Sequence, residues 1–211
     1  MKNLDFIYKR HSVRKFKDVS VPIEDIHKII EAATFAPSGK NIQNWRFVVI
    51  SNKEKIKQIA NIIENKNADL ATHLENEEEK VKFTKFVKYA TFFTKAPVLI
   101  LVYAGPYEAT GLDVLKKIKA PTDEIHDLLK RSPLIQSVGA AMENIMLSAT
   151  HLGYGTCWMT SQNYAAKEIE DFVGFKEEGY FLAAMTPLGV PDGEPKSPSR
   201  KPIQEVMTII E

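Results

Sequence analysis

The chain of 211 residues has the length of a single domain, which we expect to span residues 1–211. Its 28 lysines and arginines nearly balance its 27 aspartates and glutamates, so the overall charge argues against a nucleic-acid-binding protein. A single cysteine excludes an intrachain disulfide, and the histidines lack the spacing of metal ligands. No apolar stretch has the length of a signal peptide or a membrane span. We therefore expect a cytoplasmic protein without metal or membrane contact.

The first basic segment is RHSVRKFK, Arg10 to Lys17. In an extended conformation its side chains alternate, so Arg10, Ser12 and Arg14 share one face and His11 takes the other. Two guanidinium groups and a hydroxyl on one face predict a receptor for a phosphate-like anion. A helical conformation, or an ordinary solvated surface, is an alternative that these residues leave open.

An amphipathic helix is predicted for residues 21–36, where a proline stands at a plausible first helical position. Its apolar stripe contains Ile23, Ile26, Ile30 and Ala33.

The polar loop APSGKNIQNW follows this helix, from Ala36 to Trp45. If the loop is extended, the side-chain amides of Asn41 and Gln43 point in the same direction. Each amide has a donor and an acceptor, so the pair suits binding of the edge of a heteroaromatic ring that carries both kinds of group. The alternative is a turn in which Ser38 and Asn41 only satisfy backbone groups.

The middle of the chain alternates between strand and helix patterns. Residues 45–51 and 96–105 predict strands, the second buried on both faces, and residues 53–95 predict charged helices. Residues 106–133 have no clear period and fit either a flap or an ordinary surface loop with helix.

A central buried helix is predicted for residues 134–152, where Gly139 to Ala141 form a candidate dimer contact. The segments YGTCWMTS and GYFLAAMTPLGVP predict strands, and the proline-rich tail carries a second basic pair, Arg200 and Lys201. Because helices and strands mix without strict alternation, we predict an α+β fold built around one layered sheet.

Motifs of other enzyme classes are missing from the sequence. It contains no GxGxxG after a strand, no GxxxxGK[ST] and no GxSxG. Cys157 stands in a strand-like run, where a buried inert thiol is the expected state.

Taken in order, RHSVRKF, APSGKNIQNW, AAMENIMLSATHLGYGTCWM, PLGVP and SRKP resemble the FMN-dependent nitroreductase family. These motifs extend from Arg10 to Pro202. The resemblance implies an α+β layered fold with a mostly antiparallel central sheet flanked by helices, assembled as an intertwined homodimer. It also implies two FMN sites at the subunit interface, each built from both chains.

The resemblance further assigns cofactor contacts. Arg10 and Ser12 would meet the phosphate and ribityl region, and Arg200 and Lys201 would join at the phosphate. Arg14 would lie near flavin N1 and O2, where it would act as the catalytic cation because reduced flavin is negative there. The full implied contact set is Arg10, His11, Ser12, Arg14, Pro37, Ser38, Asn41, Gln43, Gly155, Thr156, Arg200 and Lys201, of which residues 37–43 would come from the partner subunit.

The implied reaction is ping-pong transfer of a hydride from NADH or NADPH, through flavin N5, to an electron-poor acceptor such as a nitroaromatic or a quinone. Alternatives are a reductase of an activated alkene, an aldehyde or a carbon–halogen bond, and an FMN carrier or sensor without turnover. One departure from the family is Asn44, since a proline commonly follows the glutamine. This difference leaves the contacts of Gln43 open.

Overall fold

The computed structural model describes residues 4–211, in which helices pack on both faces of a four-stranded antiparallel sheet. The strands are β1 (Trp45–Ile50), β2 (Val98–Ala104), β3 (Gly155–Thr156) and β4 (Phe181–Gly189), in the spatial order β1-β2-β4-β3. The α-helices are α1 (Asp5–Tyr8), α2 (Ile23–Thr34), α3 (Lys53–Thr72), α4 (Glu77–Thr91), α5 (Leu112–Lys117), α6 (Thr122–Lys130), α7 (Pro133–His151) and α8 (Ala166–Val173). The predicted α+β layered fold is confirmed, whereas the homodimer and the single domain stay predictions.

Strand β2 is buried along its whole length, as its continuous apolar sequence predicted. Alternate side chains leave opposite faces of a strand, so Val98, Ile100 and Val102 enter one apolar cluster with α2 and α7. Leu99 and Leu101 enter a second cluster with α3 and α8. The sheet therefore separates two helical layers.

The apolar stripe of α2 differs from the predicted one. Ile26, Ile29 and Ala33 are buried, whereas Ile23 is 55% exposed and Ile30 only partly buried. The helix begins one residue after the proline predicted to start it. Spacings of three and four residues keep the observed stripe on the face toward α7.

Helix α7 crosses the middle of the molecule, and Gly153 follows its end with a φ of 86°. Ala141 is fully buried against the core of its own chain, and the missing side chain of Gly139 faces Trp158. These two small residues therefore make room for packing within the chain, while the predicted dimer contact of the Gly139 to Ala141 run stays a prediction.

One further prediction needs correction, and another can be decided between its alternatives. The strand predicted around Cys157 is reduced to β3 and an isolated bridge at Met159, because the chain leaves the sheet after two residues. Residues 106–132 contain α5 and α6, neither of which buries a residue, in agreement with the predicted alternative of a surface loop with helix. Between residues 4 and 211, no helix is both long enough and apolar enough to cross a bilayer.

Candidate functional site

The segment from Arg10 to Lys17 is extended and runs along the edge of the sheet. Ser12 forms a parallel bridge with Thr156, and the Val13 N–H donates to the Thr156 carbonyl at 2.8 Å. Further on, the Lys17 N–H donates to the Val190 carbonyl at 2.9 Å. Backbone pairing thus fixes this segment as a strand-like edge, so the helical alternative is wrong.

Arg10, Ser12 and Arg14 gather on one side of this edge, around the thiol of Cys157. Burial raises the pKa of that thiol, while the charge of Arg14, a hydrogen bond from Ser12 and the charge of Arg10 act in the opposite direction. Val13 points the other way and packs against Gly155. The alternation expected of an extended segment therefore brings both guanidinium groups and the hydroxyl together.

Arg10 has a carboxylate partner that the sequence reasoning missed. Its Nε lies 3.7 Å from Oε1 of Glu143, and the side chain of Arg10 is only 16% exposed. Glu143 is the only Asp, Glu, Lys or Arg of α7. A single charge in an otherwise apolar helix is the signal that could have identified it. The ion pair with Glu143 therefore ties the Arg10 guanidinium to α7.

Thr156 is completely buried, and its Oγ1 has no hydrogen-bond partner among the described residues. A buried hydroxyl normally finds a partner, so this exception marks Thr156 as a candidate for contact with a bound molecule. A Cβ on Gly155 would lie 2.5 Å from Val13, so glycine here is explained by the close approach of the two segments. A cavity of about 120 Å³ lies next to Ser12 and Arg14, against residues 191–195.

The two ends of the described chain converge on this edge. His11 Nδ1 lies 2.7 Å from Oγ of Ser197, and the Asp192 N–H donates to the Lys15 carbonyl at 3.0 Å. Arg200 and Lys201 are exposed three and four residues beyond Ser197, within about 10–14 Å of it along an extended chain. The second basic pair therefore lies within reach of the first.

Residues 37–43, here called the amide loop, form a compact turn. Ser38 Oγ accepts a hydrogen bond from the Gln43 N–H at 3.0 Å, and Gln43 Nε2 lies 3.4 Å from Asn41 Oδ1. The extended conformation assumed from the sequence is wrong, since residues 39–41 make a 3₁₀ turn. The two amides nevertheless meet, and both side chains, like Pro37, are exposed.

The backbone of the amide loop is strained. Lys40, Asn41 and Gln43 have φ values of 54°, 52° and 50°, a region that costs a residue other than glycine roughly 1–2 kcal/mol, with asparagine the best tolerated. Such strain persists only where neighbouring contacts hold it, and it concentrates at functional sites. One such contact is the hydrogen bond from the Gly39 N–H to Ser137 Oγ at 3.2 Å.

The predicted contact residues thus form two groups in one protomer, and α7 runs past both. The amide loop contacts α7 at Ser137, and Arg10 contacts it at Glu143, six residues or about 9 Å of helix further on. No hydrogen bond or ion pair connects the two groups within residues 4–211.

In the same part of the chain, no cluster of three or more His, Cys, Asp or Glu side chains is arranged to hold a metal ion.

Asn44, the position where the family commonly has proline, is buried. Its Nδ2 donates to the Gly105 carbonyl at 3.2 Å, and the Gly105 N–H donates to the Asn44 carbonyl at 2.7 Å. The residue before a proline is driven into the extended region, whereas Gln43 is left-handed here. Proline at position 44 is therefore incompatible with this amide loop.

Comparison with known sequences gives a consistent family. The profile described as "Nitroreductase family" matches residues 7–190. The chain is 28% identical to an iodotyrosine deiodinase from Thermotoga neapolitana, covering 97% of each sequence. It is also 28% identical, over 90% of this chain and 86% of the other, to an Archaeoglobus fulgidus protein named only provisionally as an NADH dehydrogenase/NAD(P)H nitroreductase.

Solved structures agree with this result. A BluB-like flavoprotein from Clostridium difficile 630 is 49% identical, with full coverage of both chains and a TM-score of 0.94. A nitroreductase with bound FMN from Desulfitobacterium hafniense DCB-2 is 25% identical, again with full coverage of both chains and a TM-score of 0.70.

Proposed function

The chain belongs to the nitroreductase family, and from this premise we propose that it is an FMN-dependent oxidoreductase. We propose NADH or NADPH as its hydride donor and an electron-poor molecule, such as a nitroaromatic or a quinone, as its acceptor. A cytoplasmic location belongs to the proposal, because both nicotinamide donors are available there. The provisional name of the A. fulgidus relative is consistent with this choice of donor.

One observation carries the proposal: Arg10, Ser12 and Arg14 gather around the Cys157 thiol, on the edge that pairs with Thr156, whose buried hydroxyl has no partner among the described residues. Forked cationic donors match phosphate oxygens, and the hydroxyls match the polar chain between phosphate and ring. This donor set fits FMN. The bound FMN of the D. hafniense structure and the flavoprotein description of the C. difficile structure support the same cofactor.

The chain's own residues then have separable roles. Arg10, oriented by Glu143, and Ser12 would bind the phosphate and ribityl region, and His11 would hold the tail against this edge through Ser197. Arg200 and Lys201 would complete the neutralisation of the phosphate. The Thr156 hydroxyl would donate to a polar atom of the ring system, next to the backbone of Gly155.

Bound FMN would supply hydride acceptance and donation at N5, so that donor and acceptor react in turn at one site. Arg14 would provide a fixed cation at the N1 and O2 side of the ring. The stabilisation of negative charge by a cation that is already in position favours reduction. No dedicated proton donor is part of the proposal, and solvent would supply protons.

We propose a homodimer in which the amide loop of one copy completes the site of the other. Exposed apolar side chains lie beside and within the loop, since Phe35 is 80% and Ile42 41% exposed. A further apolar groove of about 510 Å³ opens between α2 and α7. Exposed apolar surface of this extent is typical of protein interfaces. Pro37, Ser38, Asn41 and Gln43 would then reach the cofactor from the second copy.

A second candidate reaction is reductive cleavage of a carbon–halogen bond. The observation that favours it is the similarity to the T. neapolitana iodotyrosine deiodinase across nearly the full length of both sequences. It requires the same cofactor and the same cationic edge. The difference between the two reactions would reside in the acceptor.

The first experiment is the visible spectrum of the purified protein, followed by anaerobic addition of NADH or NADPH and then of a nitroarene, a quinone or an iodophenol. We expect a yellow protein that bleaches with the donor, recovers its colour with an acceptor, and turns over repeatedly. A single turnover would indicate a carrier or sensor. A colourless protein that takes up no added FMN would contradict the proposed function.

A further inference from the structure

Tyr107 packs directly against the amide loop. A Cβ built on Gly39 would lie 2.7 Å from Cε2 of the Tyr107 ring and 2.9 Å from its hydroxyl oxygen. Gly39 has no positive φ, so the ring alone, and not the backbone, requires glycine at this position. Tyr107 lies near the start of the long connection of residues 106–132 between β2 and α7.

Lys40 fastens the loop to the same connection. Its Nζ donates to the Glu108 carbonyl at 3.2 Å and lies 5.4 Å from the centroid of the Tyr107 ring. A cation at this distance from an aromatic face is attracted by the ring's quadrupole. Consecutive residues of the loop, Gly39 and Lys40, are thus both held by consecutive residues of the connection.

We propose that Tyr107 is a positioning residue for the cofactor: its ring holds the amide loop in its left-handed conformation and thereby fixes the amides of Asn41 and Gln43. This inference rests on the proposed function, because it assumes that the loop contacts FMN. A strained loop is retained only when its surroundings hold it, and the ring, the Lys40 contacts and the Ser137 hydroxyl are those surroundings. Without the ring, the loop relaxes and the amides lose their placement.

Coupling of this kind is reciprocal. If residues 106–132 hold the loop in the form that binds FMN, then bound FMN must hold residues 106–132 by the same free energy. Lys116, Lys117 and Lys119 are exposed in this connection and are cleavage sites for trypsin. Their rate of cleavage therefore reports the coupling without any measurement of turnover.

A double-mutant cycle tests the contact between the ring and the loop. FMN affinity is measured by quenching of flavin fluorescence in the wild type, Gly39→Ala, Tyr107→Leu and the double variant. We expect each single substitution to weaken FMN binding by about tenfold. Leucine lacks the ring atoms that a Cβ at position 39 would meet, so Gly39→Ala should cost little in the Tyr107→Leu background. An equal loss from Gly39→Ala in both backgrounds would overturn the inference.

Two controls separate positioning from loss of folding. Tyr107→Phe keeps the ring and should retain the wild-type affinity, while the melting temperature of the cofactor-free Tyr107→Leu protein should stay within a few degrees of wild type. Lys40→Met should weaken FMN binding, and Lys119→Met should not, although both lysines have a φ of 54°. If the melting temperature falls in step with the affinity, Tyr107 is a general packing residue and the inference is wrong.

The trypsin experiment tests the coupling itself. FMN should slow cleavage at Lys116 to Lys119 several-fold in the wild type and have no effect in Tyr107→Leu. An equal cleavage rate with and without FMN in a wild-type protein that binds FMN would contradict the inference and leave the proposed function intact. A wild-type protein that does not bind FMN would contradict the proposed function first.

Discussion

His11 Nδ1 lies 2.7 Å from Oγ of Ser197, although 186 positions separate the two residues in the chain. This contact holds the extended tail beside the segment that begins at Arg10. It brings the basic pair Arg200 and Lys201 toward Arg10 and Arg14, as the proposed phosphate site requires. Because the contact involves exposed side chains, it fixes where the tail lies more than it stabilises the fold.

Replacement of Arg200 tests this convergence. Arg200→Ala should weaken FMN binding by about tenfold and riboflavin binding by much less, since riboflavin has no phosphate for the guanidinium to bind. Fluorescence titration with both flavins measures the difference, and Arg131→Ala is a matched exposed control. Equal losses for the two flavins would mean that Arg200 does not contact the phosphate.

Replacement of Arg14 tests the proposed catalytic cation. Arg14→Ala should bind FMN more weakly and lower the two-electron potential of the bound flavin by roughly 30 mV or more, because the fixed positive charge near the reduced ring is lost. Spectroelectrochemistry measures this potential. Lys15→Ala is the neighbouring control, since adjacent side chains of an extended segment leave opposite faces. A potential unchanged by Arg14→Ala would rule out the role.

The identity of residue 44 tests the loop geometry. Asn44→Ala removes the hydrogen bond to the Gly105 carbonyl and should destabilise the protein by about 1 kcal/mol. Asn44→Pro should cost on the order of 2–3 kcal/mol and also weaken FMN binding, because it forces Gln43 out of the left-handed region. Denaturant unfolding and FMN titration provide the two readouts. Proline tolerated as well as alanine would show that Gln43 can leave its observed conformation freely.

Tyr103 makes the stability sensitive to alkaline pH. Burial raises its pKa to about 12 from a reference of 10.0, with a smaller contribution from the charge of Glu170. A raised folded-state pKa means that the native state holds the proton more tightly. The associated stability is therefore complete below pH 10 and is lost as the pH rises from 10 toward 12.

The matching substitution is Tyr103→Phe, which removes a buried hydroxyl without a hydrogen-bond partner among the described residues. The free energy of unfolding at pH 7 should stay equal to wild type or increase by about 1 kcal/mol. Urea unfolding between pH 9 and pH 11 should show a smaller loss of stability in the variant than in the wild type. Parallel losses in both proteins would assign the alkaline effect to other groups, such as the Cys157 thiol, whose pKa burial also raises.

Much of the architecture could be predicted because local patterns and packing agree. Strand β2 is a continuous apolar run, and a strand buried on both faces requires one. Helix α7 is apolar around most of its circumference, as a helix between a sheet and a second helix must be. In α2, by contrast, either Ile29 or Ile30 could belong to the apolar stripe on the basis of sequence alone. Only the packing of α2 against α7 shows that Ile29 is the buried residue.

The site was harder to predict than the fold. The alternation of Arg10, Ser12 and Arg14 follows from an extended backbone, yet only pairing with Thr156 excludes a helix. The Glu143 partner of Arg10 depends on how α7 lies against the opening segment. Neither pairing has a local sequence pattern, since each joins residues more than a hundred positions apart.

By itself, the sequence determined the order of the elements, the identity of the basic edge and the family, because these depend on residue type and on short-range periodicity. The tertiary structure alone decided that the tail returns to His11, that the amide loop is left-handed rather than extended, and that Tyr107 packs on Gly39. The physical reason is the same in each case. Long-range packing can impose a backbone conformation that the local residues would not adopt by themselves. The sequence of a short segment therefore does not predict that conformation.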